Sequence, residues 1–252
     1  MIPKTREESL RVLKSNIQLL YEQRKLLNLL NENGIQAFVI GDSSVALFYP
    51  NPLSRELYDI DVLVHCKQFG EAVSLCKQNS YLPFELPEDQ ENCVHFIRNG
   101  ITIHLLSELR LFSEEHKNEI LNAWIASDKP LMVKIGNDMI PTLLQGNNGI
   151  LQLVLLRVET QRGELKKRSL LDWMMFSKSY LSDENWNTFG KKAEQLGLKE
   201  FAKSITCYGK KYIDINASWC EWDLETLDSF DVVDMGRTPI PNEPNKTDKL
   251  TG

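Results

Sequence analysis

Asp59 and Asp61, in the run Tyr58–Val64 (YDIDVLV), are the residues whose type and spacing point most directly to chemistry. Two positions apart on a β-strand, their carboxylates leave the same face of a sheet and can grip one divalent ion or two. Ile60, Val62, Leu63 and Val64 mark a strand buried on both faces, where an unpaired carboxylate is costly to desolvate. Mg²⁺ offsets that cost, because it takes one or two carboxylates together with waters and substrate phosphates. The alternative without metal is a strand end carrying two solvated acids. Upstream, Gly41-Asp42-Ser43-Ser44 turns into a helix-compatible stretch, so Gly41, Ser43 and Ser44 offer N–H groups and hydroxyls to phosphate oxygens. Arg55 can neutralise phosphate with its planar fork, or form a surface ion pair with Glu56 or Asp59. Downstream, Thr102 and His104 share a strand face, which makes His104 a base, a ligand or a packed polar side chain.

The elements that must position these groups follow from periodicity. Leu10, Leu13, Ile17, Leu20, Tyr21, Leu27 and Leu30 recur at helical spacing from Glu7 to Glu32, and Asn33-Gly34 ends that helix. Ala37–Ile40 reads as a strand, Ser43–Tyr49 as a helix closed by Pro50-Asn51-Pro52, and Phe69–Gln78 as a further helix. Val94–Ile97 and Ile101–Leu106 flank Asn99-Gly100 and predict a hairpin; Met132-Val133 and Met139-Ile140 flank Gly136-Asn137-Asp138 and predict a second. The pattern predicts a mixed sheet with helices packed on it. Beyond Gly149, Ile150–Glu159, Lys167–Tyr180, Glu184–Leu196 and Leu198–Lys210 suit helices, with Ser182 or Asp183 as a cap and Gly197 as a break. The expected organisation is an α/β domain with its N-terminal helix over 1–146, a helical domain over 147–235, and a polar, Pro-rich, disordered tail over 236–252.

Composition narrows the function classes. With 42% hydrophobic and 25% charged residues the 252-residue chain is ordinary globular protein. Its net charge of −6 argues against general nucleic-acid binding, which relies on counterion release by many basic contacts. No apolar run reaches the roughly 18–20 residues that span a bilayer, and the N-terminus lacks signal-peptide character, so a cytoplasmic protein with no membrane partner is expected. The five cysteines never form a Cys-x-x-Cys pair and are expected to be reduced packing residues. Lys166, Lys167 and Arg168 open a helix; Lys167 is the candidate contact to a triphosphate or polyanionic acceptor, against the plain reading of a solvated basic face. Asp172, four residues on, can pair with Arg168. Trp173, Trp186, Phe189, Phe201, Trp219 and Trp222 either line a pocket or form core. His65, His95 and His116 fall in no metal-ligand spacing.

In its order of parts (helix, strand, Gly turn, helix, Tyr and Arg ahead of Asp-x-Asp, a hairpin ending Ile-His-Leu, then helices) the chain resembles the polymerase-β-like nucleotidyltransferase superfamily. More narrowly it resembles its bacterial group of uncharacterised nucleotidyltransferases. The matching positions are Gly41, Tyr49, Arg55, Asp59 and Asp61, and LKKRSLLDW (Leu165–Trp173) is similar to the family's basic-then-Asp helix. The resemblance implies an α+β fold, with a nucleotidyltransferase-type mixed sheet flanked by helices and followed by a C-terminal helical domain. It implies transfer of a nucleoside monophosphate from an NTP to an acceptor hydroxyl, with Mg²⁺ or Mn²⁺ and release of pyrophosphate. Asp59 and Asp61 would then be the metal ligands. Two positions depart from the pattern. Thr102 stands where the family places a third carboxylate, and a threonine hydroxyl neither deprotonates an acceptor at neutral pH nor adds charge to a metal site. Asp42 brings a negative charge to the turn, repulsive to a triphosphate unless capped or turned outward. Two alternatives therefore stand beside the enzyme: a catalytically silent fold acting as a nucleotide-binding or protein-interaction module, and a toxin-type enzyme modifying RNA or protein.

Overall fold

The computed structural model describes residues 5–86, 91–215 and 217–220, with the backbone of Val232–Val233. Helix α1 (Arg6–Glu32) starts at a capping box: Thr5 accepts from the Glu8 N–H, and the Glu8 carboxylate accepts from the Thr5 N–H. Besides a short parallel pair of Leu165–Lys166 with Val232–Val233, the described residues hold seven strands: β1 (Ala37–Ile40), β2 (Asp59–Val64), β3 (Leu82–Phe84), β4 (Cys93–Arg98), β5 (Ile101–Leu106), β6 (Leu131–Ile135) and β7 (Asp138–Thr142). They form one mixed sheet in the order β3-β4-β5-β2-β1-β7-β6. In it β2 runs antiparallel to β1 and parallel to β5, and β7 runs parallel to β1. Both expected hairpins form. The first turns on Asn99 (φ 50) and Gly100 (φ 75), the left-handed pair that a two-residue turn needs.

The helices are α2 (Asp42–Ala46), α3 (Cys66–Gln78), α4 (Glu115–Ser127), α5 (Gln145–Gln161), α6 (Lys167–Tyr180), α7 (Asp183–Gln195) and α8 (Lys199–Gly209). The four helices expected after Gly149 all form, and Ser182 caps α7 by accepting from the Asn185 N–H. Strand β3 and helix α4 are among the elements that carried no sequence expectation. Strand β3 holds Pro83 beside exposed Leu82, a composition tolerated only at a sheet edge and otherwise read as loop. Helix α4 buries only Leu121, Ile125 and Asn118, a stripe too thin to announce itself.

Alternation along the strands sorts side chains between two cores. Val39, Ile60, Val62, Val64, Ile103 and Leu105 face α1 and α3 with Leu26, Leu30 and Ala72. Phe38, Ile40 and Leu63 face the helical half with Ile150, Leu153, Trp173 and Phe176. Each such side chain contributes about 1.5–3 kcal/mol by leaving water. Asp59 and Asp61 alternate with Ile60 and Val62, so they lie on the Leu63 face, towards the helical half. The expectation of five reduced cysteines holds for Cys66, Cys76 and Cys93, but Cys207 and Cys220 are paired through their sulfurs. A separation of 13 residues gave no motif by which to foresee that pairing. The tail over 236–252 and Trp222 lie outside the described residues. No helix among the described residues is long and apolar enough to cross a membrane.

Candidate functional site

The antiparallel register of β1 and β2 sets Ile40 opposite Asp61, so the chain leaving β1 at Gly41 passes directly over that carboxylate. Gly41 has φ 65 and ψ −140, backbone that side chains do not tolerate. A Cβ there would stand 2.0 Å from Asp61 Oδ2. Both the turn and the close approach require glycine. On the other side, the parallel register of β2 and β5 sets Asp59 beside Thr102 and Asp61 beside His104. Ligand atoms of Asp59, Asp61 and His104 all lie within 4.8 Å of one another, with His104 Nε2 3.9 Å from Asp59 Oδ2.

The electrostatics of this group favour a cation. Burial pushes the Asp61 carboxyl well above the usual range, reinforced by Asp59 and then Asp42. Asp59 is pushed up to about 6, first by burial and then by the Asp42 charge, with Arg168 and Arg55 pulling the other way. Two hard oxygen donors that resist ionising together, with an imidazole beside them, suit Mg²⁺ or Mn²⁺, which would return both to carboxylates. The residues present therefore fit the metal that the fold family implies.

Behind the acids lies a second layer of charge. Asp42, first residue of α2, accepts from the Tyr58 N–H at 2.9 Å and from Arg55 Nη2 at 2.9 Å. It also receives Arg168 Nη2 in a close ion pair. Burial pushes its carboxyl up, but Arg55 and Arg168 outweigh burial and hold it below the usual range. The Asp42 charge is thus neutralised within the fold. Arg55 reaches further: its Nε and Nη2 meet the two oxygens of Asp172 at 2.8 and 2.7 Å, a bidentate pair buried from solvent. Tyr49 donates to the same Asp172 at 2.6 Å. The Arg168 guanidinium lies 4.2 Å from the centroid of the Tyr58 ring.

The sequence candidates separate accordingly. Gly41, Asp59, Asp61 and His104 are brought together. Ser43 is buried beside them and its hydroxyl has no hydrogen-bond partner among the described residues; the Ser44 hydroxyl donates to the Gly41 carbonyl at 2.9 Å. Arg55 is not on the surface, and neither Glu56 nor Asp59 forms an ion pair with it: its guanidinium is held by Asp172 and Asp42. Lys167 is exposed at the start of α6, and the basic residue of that cluster that reaches Asp42 is Arg168. The link Tyr49–Asp172–Arg55 joins residues more than 100 positions apart, beyond the reach of any local pattern. Trp173, Phe189, Trp186 and Phe201 are core, and Trp219 stacks on Trp186 at 4.0 Å between centroids.

The model of the uncharacterised nucleotidyltransferase family matches residues 3–214. Among solved structures, the chain is similar to the antibiotic-resistance factor ANT(2'')-Ia at 11% identity and a TM-score of 0.52, covering 74% of this chain and 97% of that one. A candidate nucleotidyltransferase from Thermotoga maritima matches at 18% identity and a TM-score of 0.44, covering 57% and 89%. A nucleotidyltransferase-like antigenic protein of Paracoccidioides brasiliensis matches at 12% identity and a TM-score of 0.43, covering 76% and 92%. No curated protein sequence matches the chain.

Proposed function

Because the chain belongs to the uncharacterised nucleotidyltransferase family, we propose that it transfers a nucleoside monophosphate from an NTP to an acceptor hydroxyl and releases pyrophosphate. The observation that supports this reading is the grouping of Asp59, Asp61 and His104, with Asp61 under Gly41, where burial first and neighbouring acid charge second push both aspartate carboxyls up. Divalent ions held by Asp59 and Asp61 would neutralise charge developing on the phosphoryl oxygens.

The chain's own residues divide the remaining work. Gly41 keeps the space over Asp61 free of a side chain. Ser43 brings to the same turn a buried hydroxyl with no hydrogen-bond partner among the described residues, the donor that a phosphate oxygen entering the turn would meet. Arg55 acts from behind, fixing Asp42 and the turn against α6 through Asp172. Arg168, partly exposed next to Asp42, takes the triphosphate-facing role that the basic cluster suggested for Lys167. His104 reaches to 3.9 Å from Asp59, two residues along β5 from Thr102, the position of the missing carboxylate. Thr102, in register with Asp59, favours a second reading in which the fold binds nucleotide without turnover.

Incubation with Mg²⁺ or Mn²⁺ and labelled NTPs, following pyrophosphate and label, tests the proposal. Pyrophosphate release that depends on Asp59 and Asp61 supports it. Nucleotide binding without turnover, unaffected by Asp59→Asn and Asp61→Asn, sinks it.

A further inference from the structure

The polar row of the sheet does not stop at the acid pair. Register alone carries it on: Asp61 is opposite His104, His104 is opposite His95, and His95 is opposite Phe84. Cys93, two residues before His95 on β4, projects from the same face. The row therefore ends in a thiol and two imidazoles. Cys93 Sγ lies 3.9 Å from His95 Nδ1 and 3.8 Å from His95 Nε2, and His95 Nδ1 lies 2.5 Å from His104 Nδ1. Ligand atoms of all three residues lie within 4.8 Å of one another.

The geometry points to a second cation site, made by Cys93, His95 and His104, for a borderline-soft divalent ion of the Zn²⁺ type. One sulfur and two nitrogens are the wrong donors for Mg²⁺ and the right ones for zinc. With Zn–S of about 2.3 Å and Zn–N of about 2.0 Å, a tetrahedral ion sets sulfur and nitrogen about 3.5 Å apart and two nitrogens about 3.3 Å apart. The thiol is already close to that spacing. The two imidazole nitrogens, now 2.5 Å apart, must part by about 0.8 Å, a small rotation of each ring. Phe84 packs on His95 at 5.5 Å between ring centroids and shields one side, while Cys93 and His104 are only partly buried and leave a route in. Three protein ligands leave a fourth position for water.

His104 faces both sites. Its Nδ1 is turned to His95 and its Nε2 to Asp59 at 3.9 Å. An ion bound on Nδ1 fixes the imidazole proton on Nε2, facing the carboxylate, the arrangement by which an outer carboxylate orients a metal-bound histidine. The soft site is thereby coupled to the hard one through a single ring. This inference concerns Zn²⁺-type binding and stands whether or not the chain transfers nucleotides.

Titration of the metal-free protein with Co²⁺ reads the site directly, because a thiolate–cobalt bond gives a charge-transfer absorption that oxygen ligands do not. One equivalent should produce that band in the wild type, and Zn²⁺ should abolish it by displacement. Cys93→Ser should remove the band, and His95→Asn should weaken Co²⁺ binding by at least about tenfold. Asp59→Asn should keep the band, and so should Cys66→Ser, which removes the exposed thiol 3.8 Å from His65 Nδ1. A thermal unfolding midpoint for each variant separates loss of ligand from loss of fold. Absence of the band in folded wild-type protein overturns the inference, as does a band that survives Cys93→Ser.

Discussion

Gly41 and Asp61 are locked to one another: the turn that leaves β1 has room for the Asp61 carboxylate only because position 41 has no Cβ. The backbone there, at φ 65 and ψ −140, adds a second reason for glycine. Gly41→Ala is expected to cost about 1–3 kcal/mol through backbone strain alone. It should also displace Asp61, so binding of Mg²⁺-dependent nucleotide should fall by more than the stability loss explains. Urea unfolding and nucleotide titration on the same variant check the two effects separately.

The raised carboxyls give a signed pH dependence. Asp59 titrates at about 6 in the folded chain, above the ordinary aspartate value, and Asp61 is shifted in the same direction. Such groups contribute stability that is fully present below the unfolded pKa and is lost as pH rises through the folded one. Metal-free protein should therefore melt at a higher temperature near pH 4–5 than near pH 7, and Asp59→Asn should flatten that difference. At pH 7, Mg²⁺ should raise the melting temperature of the wild type and not of Asp61→Asn. Asp42, held below the usual range, works in the opposite sense and only at lower pH.

The buried Arg55–Asp172 pair should be structural in its effect. Removing one partner takes the bidentate contact from a buried charge, although Asp42 still faces Arg55 and Tyr49 still donates to Asp172, so Asp172→Ala or Arg55→Met is expected to cost up to about 3–5 kcal/mol. Arg55→Lys should recover little, because a lysine cannot span both Asp172 oxygens. The double variant Arg55→Met with Asp172→Ala should cost less than the sum of the two single changes. Urea unfolding of the wild type and the four variants measures this.

How much of this was legible in the sequence depends on range. The Asn99-Gly100 turn fixes the β4–β5 register, so the facing of His95 and His104 was already implied by the hairpin, although the two lie 9 residues apart along the chain, outside any local ligand spacing. Asp59 and Asp61 were legible from alternation. The partners of Arg55 were not, since Asp172 arrives from α6 through tertiary packing. The same packing brings Arg168 of α6 onto Asp42 of α2, a contact that the basic cluster alone did not single out. The parallel β1–β7 pairing also had no local signal, as β7 joins the sheet far along the chain.

Arg168 neutralises Asp42 from the site side, next to Arg55. Arg168→Ala should leave the fold stable but expose a nucleotide to the Asp42 charge. NTP affinity is expected to fall about tenfold, equivalent to ~1.4 kcal/mol. Adding Asp42→Asn should restore part of it. Equal NTP affinity in wild type and Arg168→Ala, measured by calorimetry at low ionic strength, would remove Arg168 from the site.

The claim on which the functional reading turns is that Asp59 and Asp61 hold the metal through which an NTP binds. Calorimetric titration of an NTP, with and without Mg²⁺, into wild type, Asp59→Asn and Asp61→Asn measures it most directly. The expected result is metal-dependent binding by the wild type that each substitution weakens by at least about tenfold. Equal affinity in all three proteins, or binding indifferent to Mg²⁺, contradicts it.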